Sequence, residues 1–338
     1  SESYYYVGSM TAGTGGGGIE FQQRVVAPTT EAGTRFVSML IIDPSDLQAS
    51  DFFYEEDTTD LVLTATYQTA VSKTDLSHTD GDEWIVFSCT GFDIETTIYN
   101  SKMRMVLEHG SGSVEDTPVT SFEGKNKNEY MLWAMCRGYT LTAEDPIFKI
   151  EVAMDEVAPT PNTKTYASMF GLRLNAFENY FQQYTSTPYE TYSIDWVELD
   201  TKDFTTTDTG KVLVFANAIA DLDAMHKESF GRIQLDDTTS PNAIPDTQYQ
   251  VNTRDGSSEL PMFLLTSYTG TGSVSVQIDL DAKKEATGVT SGWLGYSLMG
   301  FSTDLMQANR NQVFSAVASQ TYNSGEVAGQ TYSSGDEI

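Results

Sequence analysis

The sequence contains little of the chemistry that most enzymes and metal sites require. Only two cysteines and three histidines occur among 338 residues, and His78, His109 and His226 are far apart. Metal clusters and catalytic triads are built largely from such side chains. Phosphate-binding loops, serine-hydrolase elbows and Cys-x-x-Cys pairs are also absent. We therefore expect a non-enzymatic protein with no catalytic, cofactor-binding or metal-binding residue and no cofactor.

Positive charge and long apolar runs are scarce as well. Nineteen Lys and Arg face 48 Asp and Glu, which gives a formal charge of −29. A surface with this much negative charge repels phosphate backbones and anionic lipids. Neither nucleic acid nor a membrane is therefore an expected partner. The longest apolar run is Met131–Cys136, far below the roughly 20 residues of a membrane span. The first six residues do not resemble a signal peptide.

The two cysteines, Cys89 and Cys136, both lie in strand-like apolar runs. Two cysteines are too few for a disulfide framework in a chain of this length. The favoured interpretation is a pair of buried free thiols that pack as small apolar side chains. A single bridge between them stays open as the alternative.

What the chain does contain is an internal repeat. Residues 66–87 and 194–215 share five identities at a shift of 128 positions, and Asp93 then aligns with Asp221. At the same shift Cys89 aligns with Asn217, and a small further shift aligns Cys136 with Ser267. A strand-like segment at 36–42 recurs at 166–172 and again at 296–301. The predicted organisation is an N-terminal arm (1–34), two similar domains (35–165 and 166–304) and a C-terminal tail (305–338).

Within each copy, apolar residues alternate with polar ones. Met103, Met105 and Leu107 alternate with charged residues, and 230–236 has the same pattern in the second copy. A period of two with frequent glycine turns is typical of antiparallel sheets with one face on a core and the other in water. The predicted fold is all-β, with two tandem antiparallel jelly-roll sandwiches. The best helix candidate is Leu305 to Gln320, where Met306, Val313 and Val317 share a helical face.

The second copy contains Asp195-Trp196-Val197-Glu198-Leu199, then Gly210-Lys211-Val212-Leu213-Val214-Phe215-Ala216, then Phe230-Gly231-Arg232-Ile233. Together these resemble the jelly-roll modules of virion surface proteins of tailed phages, such as capsid decoration proteins, head fibres and tail-associated fibres. The same outline is similar to the trimeric jelly rolls of the C1q/TNF type. The first copy departs from it, since Asp82-Glu83-Trp84-Ile85 replaces the Gly-Lys-Val-Leu turn. The resemblance implies no catalytic residues.

Three further features carry hypotheses about binding. Tyr4-Tyr5-Tyr6 before the glycine run 15–18 suggests an anchor for a neighbouring subunit, with a frayed terminus as the alternative. The aromatic segment 179–192 suggests a glycan platform, with subunit packing as the alternative. Its aromatic members are Tyr180, Phe181, Tyr184, Tyr189 and Tyr192.

The third feature is acidic. Asp221 and Asp223 are the best calcium candidates, although an acidic face in solvent is the ordinary interpretation. The repeated tail segments 320–325 and 330–335 are interpreted either as flexible or as edge strands for a neighbour.

These observations favour a structural protein on the virion surface of a tailed phage, assembled in the host cytoplasm as a homotrimer. Its expected partners are other copies of itself and other virion proteins, reached through the arm. Two alternatives remain from the sequence: a module that binds host surface glycan, and a tandem jelly-roll subunit of the capsid shell. The thinly spread basic residues count against a shell subunit with a basic inner face.

Overall fold

The computed structural model of the chain describes residues 19–24, 33–42, 48–96, 99–117, 119–122, 129–177, 179–191, 193–205, 211–222, 228–237, 247–252, 258–269, 275–284, 291–302, 312–322 and 327–332. Nearly all of them lie in antiparallel strands, and the one helical turn among them is a 3-10 turn at Leu174–Ala176. The strands are β1 (Ile19–Arg24), β2 (Gly33–Ile42), β3 (Phe52–Asp57), β4 (Leu61–Val62), β5 (Gln68–Lys73), β6 (Glu83–Ile94), β7 (Ser101–Glu108), β8 (Val114–Asp116), β9 (Thr120–Phe122), β10 (Glu129–Thr140), β11 (Ile147–Met154), β12 (Thr163–Arg173), β13 (Tyr180–Thr185), β14 (Tyr189–Thr191), β15 (Val197–Thr205), β16 (Lys211–Leu222), β17 (Glu228–Asp237), β18 (Thr247–Asn252), β19 (Ser258–Thr269), β20 (Ser275–Lys284), β21 (Ser291–Ser302), β22 (Gln312–Tyr322) and β23 (Val327–Tyr332).

The chain divides into two compact units. The larger contains Ala49–Leu305 and therefore strands β3 to β21. The smaller is formed by Ser9–Gln48 together with Met306–Ile338 and contains β1, β2, β22 and β23. Most of the predicted arm and tail thus belong to the smaller unit, together with residues 35–48 of the predicted first domain.

In the smaller unit, the N-terminal strands pair with the C-terminal ones. β1 pairs with β23 and β2 pairs with β22, both antiparallel. The repeated tail tripeptides Gln320–Tyr322 and Gln330–Tyr332 lie in these two ladders, opposite Gly33–Arg35 and Ile19–Phe21 of the same chain. The tail therefore adds strands, as one of the two interpretations proposed, but to its own arm. Tyr4-Tyr5-Tyr6 and the glycine run lie outside the described residues.

The predicted helix over Leu305 to Gln320 is wrong. Residues 312–322 form strand β22, and 305–311 lie outside the described part of the chain. The helical pattern rested on three apolar positions, whereas the same stretch contains the β-branched residues Val313 and Val317 and two serines. The secondary structure of such a segment depends on its tertiary context. Here β2 is a long strand with which it forms main-chain hydrogen bonds.

The larger unit contains the same strand arrangement twice. One sheet runs β10-β6-β12-β3 in the first repeat and β19-β16-β21-β13 in the second, with β4 and β14 added to β12 and β21. The facing set runs β9-β7-β11-β5 in the first repeat and β18-β17-β20-β15 in the second, with β8 added to β7. If β3–β4, β8–β9 and β13–β14 are each counted as one interrupted strand, both repeats read 1-8-3-6 and 2-7-4-5. This is the jelly-roll order, so the predicted fold class is confirmed.

The spacing of the repeat is 128 positions, as the sequence predicts. Each of five strands of the first repeat begins 128 residues before its counterpart, the pairs being β3/β13, β4/β14, β6/β16, β11/β20 and β12/β21. The break between the repeats differs from the predicted one after residue 165. That point falls inside β12, which pairs with β6 and β3 of the first repeat. The recurring segments 166–172 and 296–301 therefore end their repeats, whereas 36–42 lies in β2 of the smaller unit.

The two repeats are joined by both backbone and side chains. Glu259 of β19 pairs with Ser121 of β9, which makes one sheet continuous across both repeats. In addition, the Phe87 ring of β6 lies 5.1 Å from that of Phe215 on β16 and 6.2 Å from that of Phe263 on β19. Most of β6 and β16 is consequently buried on both faces, which corrects the expectation of one solvent face per strand. β7 keeps the predicted alternation, with Met103 and Met105 buried and Lys102 and Arg104 only partly.

Cys89 and Cys136 are both buried and neither forms a disulfide bond, as the favoured interpretation predicted. Burial raises the pKa of the Cys136 thiol well above its ordinary value, which keeps the thiol neutral. Cys89 matches Asn217, but Cys136 does not match Ser267. Cys136 lies opposite Phe87 and Leu265 lies opposite Phe215, so Leu265 is its counterpart.

Candidate functional site

The predicted aromatic platform is not one surface. Phe181 is buried in the second core, with its ring 5.4 Å from that of Phe204. Tyr180 accepts a hydrogen bond from Asn175 at 3.0 Å, and Tyr189 is exposed on β14. Tyr192 lies outside the described residues. Tyr184 lines a cavity between the repeats.

Acidic side chains at 55–57 and at 82 form ion pairs and hydrogen bonds with other parts of the fold. Glu55 pairs with Lys73 at 2.9 Å, and Asp57 with Lys164 at 3.3 Å. Asp82 accepts hydrogen bonds from Thr79 and from Arg173. Of the calcium candidates, Asp221 is half-buried on β16 and Asp223 falls outside the described residues. Within the described ranges, no three His, Cys, Asp or Glu side chains are grouped as metal ligands, and no helix is long and apolar enough to cross a bilayer.

A small cavity lies where the two repeats meet, and we name it the junction cavity. Its volume is about 260 Å³. Strands β8 and β10 of the first repeat and β13 of the second supply its walls. The lining residues are Glu115, Arg137, Gly138, Tyr139, Thr140, Gln182 and Tyr184.

Arg137 is the central residue of the junction cavity. Its guanidinium lies between two tyrosine rings, 4.5 Å from the centre of Tyr139 and 3.8 Å from that of Tyr184. It donates to the Asp116 carbonyl oxygen at 2.6 Å and to the Glu115 carboxylate at 3.1 Å. Cation–π contacts and a paired carboxylate are what a buried guanidinium requires. Arg137 therefore joins the repeats, and its charge is compensated by Glu115.

Two buried polar atoms at the junction cavity have no hydrogen-bond partner in the structure. They are the Tyr139 hydroxyl, on a side chain only 2% exposed, and Nε of Arg137, which is 6% exposed. Burial raises the pKa of Tyr139, so the hydroxyl stays protonated and both donates and accepts. A buried hydroxyl without a partner costs free energy, so this atom is a local cost of packing Tyr139 between the first core and Arg137.

The floor of the cavity depends on a glycine. A methyl group at Gly138 would come within 2.5 Å of Gln182 Oε1. Only a bare backbone at 138 therefore lets Gln182 of the second repeat lie across β10. Gln182 also donates from Nε2 to the Thr140 hydroxyl at 3.0 Å, which orients its amide oxygen and amide nitrogen.

A second feature occurs in both repeats, on the outer face of the sheet that contains β7 or β17. Arg104 lies over the Tyr67 ring at 4.1 Å and pairs with Glu151 at 2.8 Å. In the second repeat, Arg232 lies over the Trp196 ring at 4.4 Å and pairs with Asp281 at 2.9 Å. Arg104 is opposite Glu151 in its ladder as Arg232 is opposite Asp281, so the two clusters occupy equivalent positions.

Sequence reasoning missed the junction cavity because its walls come from three separate strands, one of which belongs to the other repeat. One signal was present. Arg137 follows the apolar run Met131–Cys136 directly and precedes Gly138 and Tyr139. A single charge inside an otherwise buried strand indicates either a structural ion pair or a site.

The sequence matches no protein-family model and no curated protein. Solved structures with a similar arrangement of strands include the STIV MCP, at 9% identity and a TM-score of 0.25, covering 75% of this chain and 96% of that one. The tandem domain CBM22-1-CBM22-2 of Paenibacillus barcinonensis Xyn10C has 10% identity and a TM-score of 0.24, covering 86% and 99%. The VP2 subviral particle of infectious bursal disease virus has 9% identity and a TM-score of 0.26, covering 91% and 82%. These scores assign no function to the chain.

Proposed function

We propose that the protein is a non-enzymatic structural subunit of a virion, in which two jelly rolls act as one block. The observation that carries this proposal is the fusion of the repeats through a continuous sheet and a shared phenylalanine cluster. Jelly rolls are common building blocks of viral capsids and lectins. A block whose repeats cannot move independently suits a load-bearing lattice better than two domains on a flexible linker.

The charged side chains also support a structural role. Among the described residues, most arginines lie in ion pairs that join neighbouring strands, such as Arg104 with Glu151 and Arg173 with Asp82. Side chains committed in this way stabilise the block and are not free for acid–base chemistry.

Two placements in the particle follow from different features. The formal charge of −29 supports display on the surface of a tailed phage, as a decoration or fibre protein, because it keeps copies soluble and away from DNA. The fused block supports a place in the shell itself. In either case we propose self-association, most simply as a homotrimer, with Tyr4-Tyr5-Tyr6 contacting neighbouring virion proteins.

The test is the solution mass of the full chain by light scattering over a range of concentrations, followed by electron microscopy. A discrete cyclic oligomer, with a trimer as the simplest case, supports a structural subunit. A monomer at every concentration and salt would contradict it. Copy number in a purified particle then separates the placements, since a shell subunit outnumbers a fibre protein.

A further inference from the structure

We infer that copies of this chain associate edge to edge through the ladder of β2 and β22, with β22 of one copy pairing with β2 of the next. The inference rests on the proposed function, because it names the strands through which such a structural subunit self-associates. It is argued from the open edges of this ladder, from their lack of charge and from strand direction.

The ladder of β2 and β22 has two open edges. In the described part of the chain each of these strands pairs only with the other, so about half of the main-chain N–H and C=O groups of each strand point away from the ladder. A sheet of only two strands is marginally stable in water, and a third strand stabilises it. Beyond an irregularity between Arg35 and Val37, residues 37–42 pair in regular register with 312–317, which gives each edge about 20 Å of regular strand.

These edges lack the features that usually keep an edge strand from pairing with another chain. Segments 37–42 and 312–317 contain no charged residue, no proline and no glycine. In the larger unit, by contrast, edge strand β3 ends in the acidic run 55–57. Edge strands β5 and β15 each have a bulge and a lysine, Lys73 and Lys202. Charges and bulges protect an edge, so β2 and β22 are the strands suited to main-chain pairing with a further strand.

The charge distribution favours a second copy of the same ladder as the partner. The formal charge of the chain is −29, so two copies repel each other over most of their surface. The four strands of the smaller unit contain one acidic residue, Glu20, and two basic ones, Arg24 and Arg35. Repulsion between copies is therefore weakest where these strands meet. An uncharged edge offers a foreign chain no charge to recognise, whereas the same ladder on another copy supplies an edge of equal length that is also uncharged.

Strand direction allows both edges to be used at once. β2 and β22 are antiparallel, and rotation about an axis parallel to them leaves their directions unchanged. The pairing of β22 of one copy with β2 of the next is then antiparallel as well. Three copies, the number proposed above, close six strands into a ring without an open edge. A two-fold contact between like strands leaves one edge of each ladder open.

The experiment uses the full chain. Ser315→Lys and Ala316→Lys add a charge at adjacent positions of β22, which lie on opposite faces of the strand, so one of them reaches whichever face association covers. Thr205→Lys is the matched control, because it adds the same charge at an exposed residue of β15, an edge strand of the larger unit. Light scattering over a range of concentrations gives the size and dissociation constant of the oligomer. Hydrogen exchange of wild-type peptides that span 312–322 needs no variant and reports how many amides of β22 are protected.

We expect wild type and Thr205→Lys to form the same cyclic oligomer, and at least one β22 variant to dissociate at a concentration about tenfold higher or more. We expect nearly all β22 amides to be protected in the oligomer and about half in the dissociated chain, because edge pairing adds hydrogen bonds that the ladder alone lacks. A monomer at every concentration overturns this inference together with the proposed function.

Two results overturn this inference alone. One is an oligomer that both β22 variants leave unchanged, since copies then meet through another surface. The other is an oligomer in which only about half of the β22 amides are protected, since copies then exchange or stack strands without adding any to the ladder.

Discussion

The two repeats share one topology but differ in the side chains at some equivalent positions. One side-chain contact that the close approach of the strands requires occurs in both. Phe53 lies directly opposite Gly171, and Phe181 lies directly opposite Gly300, at equivalent places on the first and last strands of each repeat. In both pairs the ring covers the glycine, where an added methyl group would collide with it. The close contact of an aromatic ring with a strand glycine is therefore part of how this jelly roll closes.

The repeats diverge where they meet each other. Arg137 lies opposite Val86, and the equivalent residue opposite Val214 is Thr266. Only the first repeat therefore supplies an arginine for the two tyrosines of the junction cavity. Duplication supplied two similar blocks, and the differences at their contact surface made them into one unit with a cavity that neither repeat forms alone.

The largest expected effect comes from breaking that contact. Phe87→Ala removes a ring that packs against Phe170, Phe215 and Phe263 from both repeats. We expect a loss of about 3–5 kcal/mol, because a large apolar contact is replaced by a cavity. We also expect calorimetry to show separate transitions for the repeats, where the wild-type larger unit unfolds in one.

Phe148→Ala is the control for this prediction, because Phe148 packs inside the first core against Phe53 and Tyr139. It should lower stability by a similar amount without the same separation of transitions. If Phe87→Ala merely shifts a single transition to lower temperature, the repeats are coupled through the continuous sheet instead.

A smaller effect is expected when each glycine of the repeated Gly–Phe pair is changed. Gly300→Ala places a methyl group 2.7 Å from the Leu213 carbonyl oxygen and 2.6 Å from the Phe181 ring. For Gly171→Ala the three nearest atoms all belong to the Phe53 ring. Both should destabilise by about 1–3 kcal/mol through overpacking, and Gly300→Ala should cost more because backbone moves less readily than a ring. Urea titration measures both, and a larger loss for Gly171→Ala would contradict the comparison.

The sequence predicts the features that depend on local pattern and on internal similarity. Alternation in 102–108 and 230–236 predicts β7 and β17, and a shift of 128 positions predicts where the second set of strands begins. Neither signal reveals which strand pairs with which. The segment 166–172 is therefore predicted to open a repeat, whereas its partners β6 and β3 make it the closing strand.

The same limit explains the failures at the site. Phe181 and Tyr184 are three residues apart and look alike in the sequence, yet one enters the second core and the other contacts Arg137. That choice depends on strand register and on the approach of the first repeat. The strand at 312–322 was missed for the same reason, because its partner lies almost 300 positions away.

The smallest predicted effect concerns a carboxylate that only the second repeat has. Asp200 follows a bulge in β15, and the equivalent residue after the bulge in β5 is the buried Val71. Burial raises the pKa of Asp200 above 3.8, although the Thr201 backbone N–H bound to it acts in the opposite direction. One of its oxygens is buried without a partner. A carboxyl with a raised pKa costs stability above that pKa, and the cost disappears below about pH 3.8, where both states are protonated.

Asp200→Asn should therefore stabilise the chain by about 1 kcal/mol or less at pH 7, with the gain falling to zero as the pH approaches 3.8. Asp82→Asn in the first repeat is the control of opposite sign. Burial alone would raise the pKa of Asp82, but hydrogen bonds from Thr79 and Arg173 hold it below 3.8. That variant should lose stability at pH 7, and the loss should shrink only below pH 3.8. Urea titrations of both variants from pH 7 to 3 measure the two curves, and parallel curves would show that the carboxylates occupy equivalent environments after all.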